Sequence, residues 1–331
     1  RKMRGQSLLM ILMSPMIAVA LAMNSSSSSY PSITLRDGVS MPQVGVGVYR
    51  CEPGTETIRT ISWALELGIR MVDTAAMYRN EQNVPEALER TGIARENVFV
   101  TTKLHTRDHG YLNAYEAAER ALSEHLKMDY IDLFLIHSPF GKKIVETWDA
   151  LIDLQKDGLV RSIGVSNFGI PHLEAIRTAG RPMPVLNQIE MHPLIYQDRK
   201  ELVEYCQQHG IAITAYGSLF SGYPEFYQHP TLQELAQRYQ KTVPQILMRW
   251  ALDHGFIVIP KSSSSKERQQ ENYNILDFQL TPEEVDQLDH LKAIGQEFDK
   301  YWDPVGEAEV DVGDLEIAEK IRAEEANDEE L

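Results

Sequence analysis

Four side chains that could hold, donate or stabilise a proton lie close to the ends of short apolar segments. Asp73 lies near the end of one such segment, Lys103 and His137 directly follow two others, and Tyr78 comes five residues after Asp73. A tyrosine ordinarily keeps its proton up to about pH 10, so it donates more readily near neutrality when its pKa is lowered. A neighbouring ammonium favours the tyrosinate, and a carboxylate keeps that lysine charged. The spacing therefore indicates a tyrosine proton donor supported by a lysine and an aspartate, with a histidine that hydrogen-bonds to an oxygen gaining negative charge.

Each of these residues taken alone has a more ordinary explanation. Polar residues at strand ends commonly cap helices or lie on the surface, and tyrosines commonly pack in the core. The placement of all four after successive apolar segments points to a shared site, provided that those segments are neighbouring strands.

Short apolar segments rich in β-branched residues recur along the chain and predict strands buried on both faces, as in a parallel sheet. They are residues 44–49, 71–74, 98–102, 131–136, 163–166, 185–189, 211–215 and 256–259. Amphipathic helical segments separate them; in 56–67, for example, Ile58, Ile61 and Leu65 recur at helical spacing. Eight strands alternating with helices predict an α/β fold, a single (β/α)8 TIM barrel, in which the carboxyl ends of the strands lie together at one face.

A hairpin signal precedes the first of these strands. Residues 32–35 and 39–41 flank Asp37 and Gly38, a pair typical of tight β-turns. We expect this N-terminal β-hairpin to close one end of the barrel. An open doubly wound sheet is the rival architecture, but Gly45 and Gly47 are not followed by a third glycine that opens a helix, so the dinucleotide-binding fingerprint is not met.

The charge of the chain is strongly negative and unevenly distributed. The 331 residues carry a formal charge of −16, which argues against nucleic acid or an anionic membrane as a partner. Residues 303–331 hold twelve carboxylates against Lys320 and Arg322, so this segment carries −10 and the remainder only −6. We divide the chain into an N-terminal leader or extension (1–30), a barrel (31–304) and an acidic C-terminal tail (305–331), and expect the tail to be dispensable for folding.

The first residues leave the location of the protein open. A basic start and an apolar run within residues 1–23 resemble a secretory signal, whereas the alternative is that Met23 is the true start of translation. We expect a cytoplasmic protein, with targeting by residues 1–23 as the alternative. Cys51 and Cys206 have neither the spacing of a metal site nor that of a disulfide framework, which suits a reducing compartment.

A metal site is not expected. His105 and His109 flank Asp108 in the segment after Lys103, but no His-x-His motif opens the predicted barrel as a metal-dependent hydrolase of this shape would need. We assign this segment to a polar loop on the substrate side.

Several stretches of the chain closely resemble signatures of the aldo-keto reductase family. Residues 68–81, which include Asp73 and Tyr78, match one signature; Met41-Pro42 leading into 45–47, and the stretches 135–139, 164–168, 187–193 and 259–262, match others. They follow in the family's order between about residues 33 and 304. The resemblance implies reduction of aldehyde or ketone carbonyls to alcohols by hydride transfer from NADPH. It also implies that Asp73, Tyr78, Lys103 and His137 form the catalytic tetrad, with Tyr78 as the general acid.

The same resemblance implies a site for the nicotinamide cofactor. Ser166, Asn167 and Gln188 would hold the carboxamide, and Tyr216 would stack on the ring. The remaining implied contacts are Gly47 and Val48 beside the cofactor, Ser218 and Leu219 along the pyrophosphate, Lys261, Ser262 and Arg268 at the adenosine 2′-phosphate, and Asn272 near the adenine. Cations beside a doubly charged phosphate favour NADPH over NADH, although residues 261–268 would look the same as a solvated loop.

Departures from the family pattern bear on the pocket. Val48 stands where the family usually has threonine, and Ser138 stands where it commonly has tryptophan. The spacing from Lys261 to Asn272 is one residue longer than usual, and the segment after Pro304 does not match the usual substrate loop. We expect the chemistry to be intact, whereas these changes leave the substrate open.

Two functions follow as alternatives. The first is a monomeric reductase that acts on a small-molecule carbonyl compound, without nucleic acid and without stable membrane association. The second is a non-enzymatic regulatory subunit that keeps the reductase fold and cofactor site, since an intact tetrad does not exclude such a role. A metal-dependent hydrolase is disfavoured by the missing ligands.

Overall fold

Eight parallel strands form the centre of the molecule. A computed structural model describes residues 30–294 together with Phe298 and Val305. A short N-terminal pair of strands, β1 (Ser32–Thr34) and β2 (Ser40–Pro42), precedes the sheet. The sheet consists of β3 (Val46–Gly47), β4 (Met71–Asp73), β5 (Phe99–Leu104), β6 (Ile131–Ile136), β7 (Val160–Ser166), β8 (Leu186–Glu190), β9 (Ala212–Tyr216) and β10 (Ile257–Val258). Each of the eight strands predicted from the sequence overlaps one of these observed strands.

The sheet closes on itself. Strands β3 to β10 pair in chain order, each parallel to the next. Across the seam, Val44 forms a parallel bridge to Val258. The N–H of Gly45 donates to the carbonyl of Val258 at 2.9 Å, and the N–H of Val258 donates to the carbonyl of Gln43 at 2.8 Å. The predicted (β/α)8 TIM barrel is confirmed.

Helices surround the strands and connect them. They are α1 (Thr55–Glu66), α2 (Asn83–Thr91), α3 (Tyr111–Arg120), α4 (Ile144–Lys156), α5 (Ile170–Thr178), α6 (Tyr196–Gln208), α7 (Pro230–Tyr239), α8 (Val243–Asp253), α9 (Lys266–Tyr273) and α10 (Pro282–Asp289). α3 continues as a π-helical segment over Ala121–Leu126. The helix expected at residues 56–67 is α1, which ends where Gly68 adopts a φ of 93°, a value that favours glycine.

The hairpin β1–β2 covers the amino-terminal end of the barrel. Its strands are antiparallel, with Ile33 opposite Met41. The side chain of Met41 is buried in an apolar cluster with Met71 and Leu133 from the barrel strands. The Ser162 hydroxyl of β7 donates to Asp37 Oδ2 at 2.7 Å and so holds the turn against the barrel. The predicted role of the hairpin is confirmed.

The larger apolar core lies between the strands and the helices. Trp148 of α4 and Trp250 of α8 are its largest fully buried side chains. Phe298 and Val305 pack against this core from the C-terminal side. Within the described residues, no helix is long and apolar enough to cross a membrane. The predictions for the N-terminal extension and for most of the acidic tail lie outside the described residues.

A buried carboxylate holds the amino-terminal end of two neighbouring strands. Asp132, at the start of β6, is 1% exposed. Its carboxylate accepts hydrogen bonds from Arg95 at 2.6 Å, from Arg161 at 2.7 Å and from the N–H of Val100 at 2.9 Å. Removing one partner of a buried ion pair leaves uncompensated polar groups, and this costs far more than losing a surface pair.

We therefore expect Asp132→Ala to lower the free energy of unfolding by about 3 kcal/mol, the usual loss when a buried pair is broken. Urea denaturation followed by far-UV circular dichroism measures this change. Asp129→Ala is the matched control, because Asp129 is an exposed neighbour in the same chain segment and should change stability by less than about 0.5 kcal/mol. Equal effects of the two substitutions would show that the Asp132 cluster does not stabilise the barrel.

Candidate active site

The four candidate catalytic residues converge at the carboxyl-terminal end of the barrel. Asp73 is the last residue of β4, Lys103 lies near the end of β5, and His137 directly follows β6. Tyr78 is brought to them by a single 3-10 turn, Ala76–Tyr78, that begins just after β4. Neighbouring parallel strands end at the same face, which is why residues far apart in sequence meet here.

The four side chains form one connected cluster. Lys103 Nζ donates to Asp73 Oδ1 at 2.6 Å and to the carbonyl of Thr74 at 2.9 Å. The same ammonium lies 3.4 Å from the Tyr78 hydroxyl. The ring of Tyr78 meets that of His137 edge to face, with centroids 5.6 Å apart. The cluster predicted from the sequence is therefore assembled in the structure.

Burial governs the ionisation of the lysine and the tyrosine. Burial lowers the pKa of Lys103, whereas the charge of Asp73 acts in the opposite direction. Burial, and then the charge of Asp73, raise the pKa of Tyr78 well above its ordinary value. Tyr78 as a residue is partly exposed, but its hydroxyl lies 3.4 Å from the ammonium of Lys103, a residue that is 1% exposed. The expectation that the pKa of Tyr78 would be lowered is wrong, because burial, and then the charge of Asp73, act in the opposite direction.

A buried asparagine within the 68–81 signature, for which the sequence predicted no role, organises the loops around the mouth. Asn80 Nδ2 donates to the carbonyls of Val48 at 3.0 Å and Cys51 at 3.3 Å. Its Oδ1 accepts from the Thr74 hydroxyl at 2.8 Å. Asn80 thus ties the loop after β3 to the segment that carries Tyr78. In the sequence, the position of Asn80 two residues after the candidate proton donor Tyr78 is the feature that could have indicated this role.

A polar platform lies beside the cluster, on β7, β8 and β9. Ser166 Oγ donates to the carbonyl of Gln188 at 2.9 Å. Asn167, held at a φ of 62°, donates to the carbonyl of His137 at 3.0 Å and accepts from the Tyr216 hydroxyl at 2.8 Å. Gln188 Nε2 donates to Asp73 Oδ2 at 2.8 Å, so the platform and the candidate cluster share one hydrogen-bond network. This link was not predicted from the sequence.

The other predicted cofactor residues lie along the same end of the barrel. A Cβ added at Gly47 would come within 2.7 Å of the carbonyl of Ile259, so only glycine fits between the seam strands. Val48 is fully buried and its N–H bonds to the carbonyl of Asp73 at 3.1 Å. Ser218 Oγ donates to the carbonyl of Ala215 at 2.9 Å. Leu219 follows it in the loop after β9, where its carbonyl accepts from the Tyr227 hydroxyl.

Residues suited to a phosphate gather where β10 leads into α9. Lys261 and Arg268 are exposed, the first just after β10 and the second on α9. Ser262 is buried, and its Oγ has no hydrogen-bond partner among the described residues. Asn272 is buried one turn after Arg268 on the same helix. Two cations and an unsatisfied hydroxyl fit an anionic group such as the 2′-phosphate of NADPH.

The histidines of the loop after β5 have separate hydrogen bonds. His105 Nδ1 accepts from the N–H of Arg107 at 3.2 Å, and His109 Nδ1 bonds to the carbonyl of Lys142 at 2.6 Å. Within the residues that the structure describes, no three metal-ligating side chains gather.

Comparison with known proteins identifies the family. The model of the aldo/keto reductase family matches residues 45–293, which include every candidate site residue described above. The chain belongs to the aldo/keto reductase family. The resemblance noted from the sequence motifs is confirmed.

Relatives in this family align with this chain over nearly their whole length. The 9,11-endoperoxide prostaglandin H2 reductase of Trypanosoma cruzi is 44% identical over 84% of this chain and 98% of its own length. The glyoxal reductase of Bacillus subtilis is 41% identical over 78% of this chain and 92% of its own.

Solved structures of the family have the same fold. An aldo/keto reductase from Brucella melitensis, 41% identical, superposes with a TM-score of 0.73 over 78% of this chain and 98% of its own. An aldo-keto reductase from Bombyx mori, solved in complex with NADP, is 38% identical with a TM-score of 0.72 over 79% of this chain and 92% of its own.

We expect His137 to stay neutral at pH 6.0 in the folded protein. Burial, and then the positive charge of Lys103, hold its pKa well below the usual value of about 6.5. The unfolded chain takes up this proton near pH 6.5, so the stability contributed by neutral His137 is present above that pH and is lost as the pH falls. Nitrogen-15 shifts of the imidazole measure the charge, and the protein in urea is the control. A folded-state midpoint at or above pH 6.5 would contradict the expectation.

Proposed function

We propose that this chain reduces aldehyde or ketone carbonyls to alcohols with NADPH, and that Tyr78 is the proton donor. The observation that carries the proposal is the connected path from Tyr78 through Lys103 and Asp73 to Gln188. This path joins a candidate acid to the platform on which a nicotinamide would rest. A structural role alone does not require a lysine and an aspartate to be buried together at a barrel mouth.

The platform residues have the right chemistry for a nicotinamide. Amide and hydroxyl groups of Ser166, Asn167 and Gln188 can pair with a carboxamide, and the ring of Tyr216 is held by its hydrogen bond to Asn167. When bound, the reduced nicotinamide supplies the hydride that adds to the carbonyl carbon. The side chains orient the carbonyl and provide the proton.

Proton transfer follows from the geometry of the cluster. The hydroxyl of Tyr78 donates a hydrogen bond to the carbonyl oxygen and gives up its proton as that oxygen becomes an alkoxide. The raised pKa of Tyr78 keeps the proton in place until the oxygen gains charge. The ammonium of Lys103, 3.4 Å away, then stabilises the tyrosinate. Neutral His137 is a second donor to the same oxygen, because its lowered pKa leaves one ring N–H and no positive charge.

The basic residues after β10 support NADPH over NADH. Lys261 and Arg268 can neutralise a 2′-phosphate, and the buried Ser262 hydroxyl can donate to it. A ribose without that phosphate gains nothing from either cation.

Small reactive aldehydes are the first substrates to test. Relatives at 41% and 40% identity are named as a glyoxal reductase and as the methylglyoxal reductase of Escherichia coli. Oxidation of NADPH in the presence of methylglyoxal, followed at its near-ultraviolet absorbance, tests the proposal directly. Tight binding of NADPH without turnover of any carbonyl compound would favour a non-enzymatic regulatory role instead.

Tyr78→Phe should lower kcat/KM for a reactive aldehyde by roughly 10²- to 10⁴-fold, the usual contribution of a general acid. Lys103→Met should cost a similar factor, since the tyrosinate loses its stabilising charge. Because both changes remove the same acid function, the double variant should lose little more than either single variant.

Tyr130→Phe is the control, because Tyr130 lies at the opposite end of the barrel, just before β6. NADPH affinity, measured by quenching of intrinsic fluorescence, should survive in the Tyr78 variant. A Tyr78→Phe protein that reduces the aldehyde at close to the wild-type rate removes the tyrosine from the mechanism.

Arg268→Ala should weaken NADPH binding by about 10- to 100-fold, because a charge-assisted hydrogen bond contributes roughly 1.5–3 kcal/mol. NADH binding should change much less, since NADH has no 2′-phosphate. Fluorescence titration with both cofactors measures the difference, and Lys200→Ala, which removes an exposed cation of α6, is the control. Equal affinity of the wild type for NADPH and NADH would show that the basic residues do not select the phosphate.

A further inference from the structure

A buried glutamine joins the segment that is suited to a phosphate to the rest of the barrel. Gln269 of α9 is 1% exposed. Its Nε2 donates to the carbonyl of Ser262 at 2.7 Å and to the carbonyl of Thr60, in α1, at 3.0 Å. Carbonyl oxygens only accept hydrogen bonds, so the amide nitrogen must be the atom that faces both of them. One side chain thus connects α9, the loop after β10 and α1.

The hydrogen bond from Gln269 to Ser262 closes a short loop, because the two residues are seven positions apart in sequence. Within this loop, Ser265 Oγ accepts from the N–H of Arg268 at 3.2 Å and caps α9. Arg268 and Gln269 are neighbours on the helix, so a fixed distance from Gln269 to Ser262 also restrains the backbone of Arg268 relative to Ser262. Both restrained residues belong to the set that supports a preference for NADPH.

The other contacts between this loop and α1 are weaker. Arg59 Nη2 donates to the carbonyl of Ser263 at 3.4 Å, which is longer than the usual range for a hydrogen bond. Lys266 pairs with Glu66 at 2.6 Å, but the two side chains are 40% and 46% exposed, and exposed ion pairs contribute little. The hydrogen bonds of Gln269 are buried, where water does not compete with them. Among the described contacts, they restrain the loop most.

Packing alone does not explain an amide at this position. The Oε1 of Gln269 is buried and has no hydrogen-bond partner among the described residues. A buried acceptor without a partner costs folding free energy, whereas a methionine of similar length would fill the space without that cost. What the amide adds is a defined position for Ser262, which a methionine does not impose because it has no N–H group to donate.

We propose that Gln269 is a positioning residue for the 2′-phosphate site: it holds Ser262 and Arg268 in place before the cofactor binds and so increases the preference for NADPH over NADH. This inference rests on the proposed function. A site that is already ordered loses less conformational freedom on binding, so its preorganisation increases the affinity. The increase is confined to NADPH, because the ribose of NADH has no phosphate for these residues to hold.

The test replaces the amide and measures the binding of both cofactors. Gln269→Met keeps the length of the side chain but removes both hydrogen bonds. We expect the dissociation constant of NADPH, measured by quenching of intrinsic fluorescence, to rise about 10-fold, the scale of one lost hydrogen bond. The dissociation constant of NADH should change by less than about twofold, since no phosphate contact is lost. A purely structural role of Gln269 would weaken the binding of both cofactors alike.

Two other glutamines separate this effect from a general disturbance of α9. Gln270 is the exposed neighbour on the same helix, and Gln270→Met should leave the ratio of the two dissociation constants at the wild-type value. Gln245 of α8 is buried and donates to the carbonyls of Glu271 at 2.9 Å and Asn274 at 2.8 Å, at the other end of α9. Gln245→Met should affect both cofactors alike and so preserve the ratio.

The outcomes separate this inference from the proposed function. An unchanged ratio in Gln269→Met, an equal loss for NADPH and NADH, or the same change of ratio in Gln245→Met overturns the positioning role alone. Equal affinity of the wild type for NADPH and NADH overturns the proposed cofactor preference and the positioning role with it. If Gln269→Met lacks the wild-type far-UV circular dichroism spectrum, Gln269→Leu takes its place. Failure of both variants to fold would show that the amide serves the fold, which also overturns the inference.

Discussion

Lys103 and Asp73 form an ion pair inside the barrel mouth, with side chains that are 0% and 4% exposed. Taking both charges out of water costs several kcal/mol per ion, and this cost is offset only when the geometry is good and the remaining donors and acceptors are satisfied. Here the ammonium also bonds to the carbonyl of Thr74, and the second carboxylate oxygen accepts from Gln188. The mouth is arranged to keep two charges stable where water is excluded.

Other features of the site follow from that arrangement. Burial, and then the charge of Asp73, keep the pKa of Tyr78 high, so Tyr78 is protonated in the resting protein, while the ammonium of Lys103 lies 3.4 Å from its hydroxyl. Burial, and then the same ammonium, hold the pKa of His137 well below its usual value, so the histidine is neutral. The ion pair thus acts together with burial on the protonation of both neighbours.

The hydrogen bond from Gln188 to Asp73 extends this control to the platform. Gln188 also receives the Ser166 hydroxyl on its backbone carbonyl, and Asn167 bonds to the backbone of His137. A displacement of the platform would therefore disturb the orientation of the candidate catalytic cluster, and a displacement of the cluster would disturb the platform. Such mutual support rigidifies a polar site, because every member depends on the others for its partners. Asn80 connects the loop after β3 to the segment after β4 through its hydrogen bonds to Val48 and Thr74, and so links both to the same network.

The amino-acid sequence by itself determined the barrel, its hairpin and which four side chains come together at the barrel mouth. These predictions succeeded because buried parallel strands are continuously apolar, and because residues such as Asp73 and His137 at their carboxyl ends must share a face. Only the tertiary structure decided the ionisation of Tyr78. That pKa depends on burial and on the nearby charge of Asp73, and neither effect can be read from spacing along the chain. The link from Gln188 to Asp73 was equally invisible, since 115 residues separate the two in sequence and a closed barrel is needed to bring them to 2.8 Å.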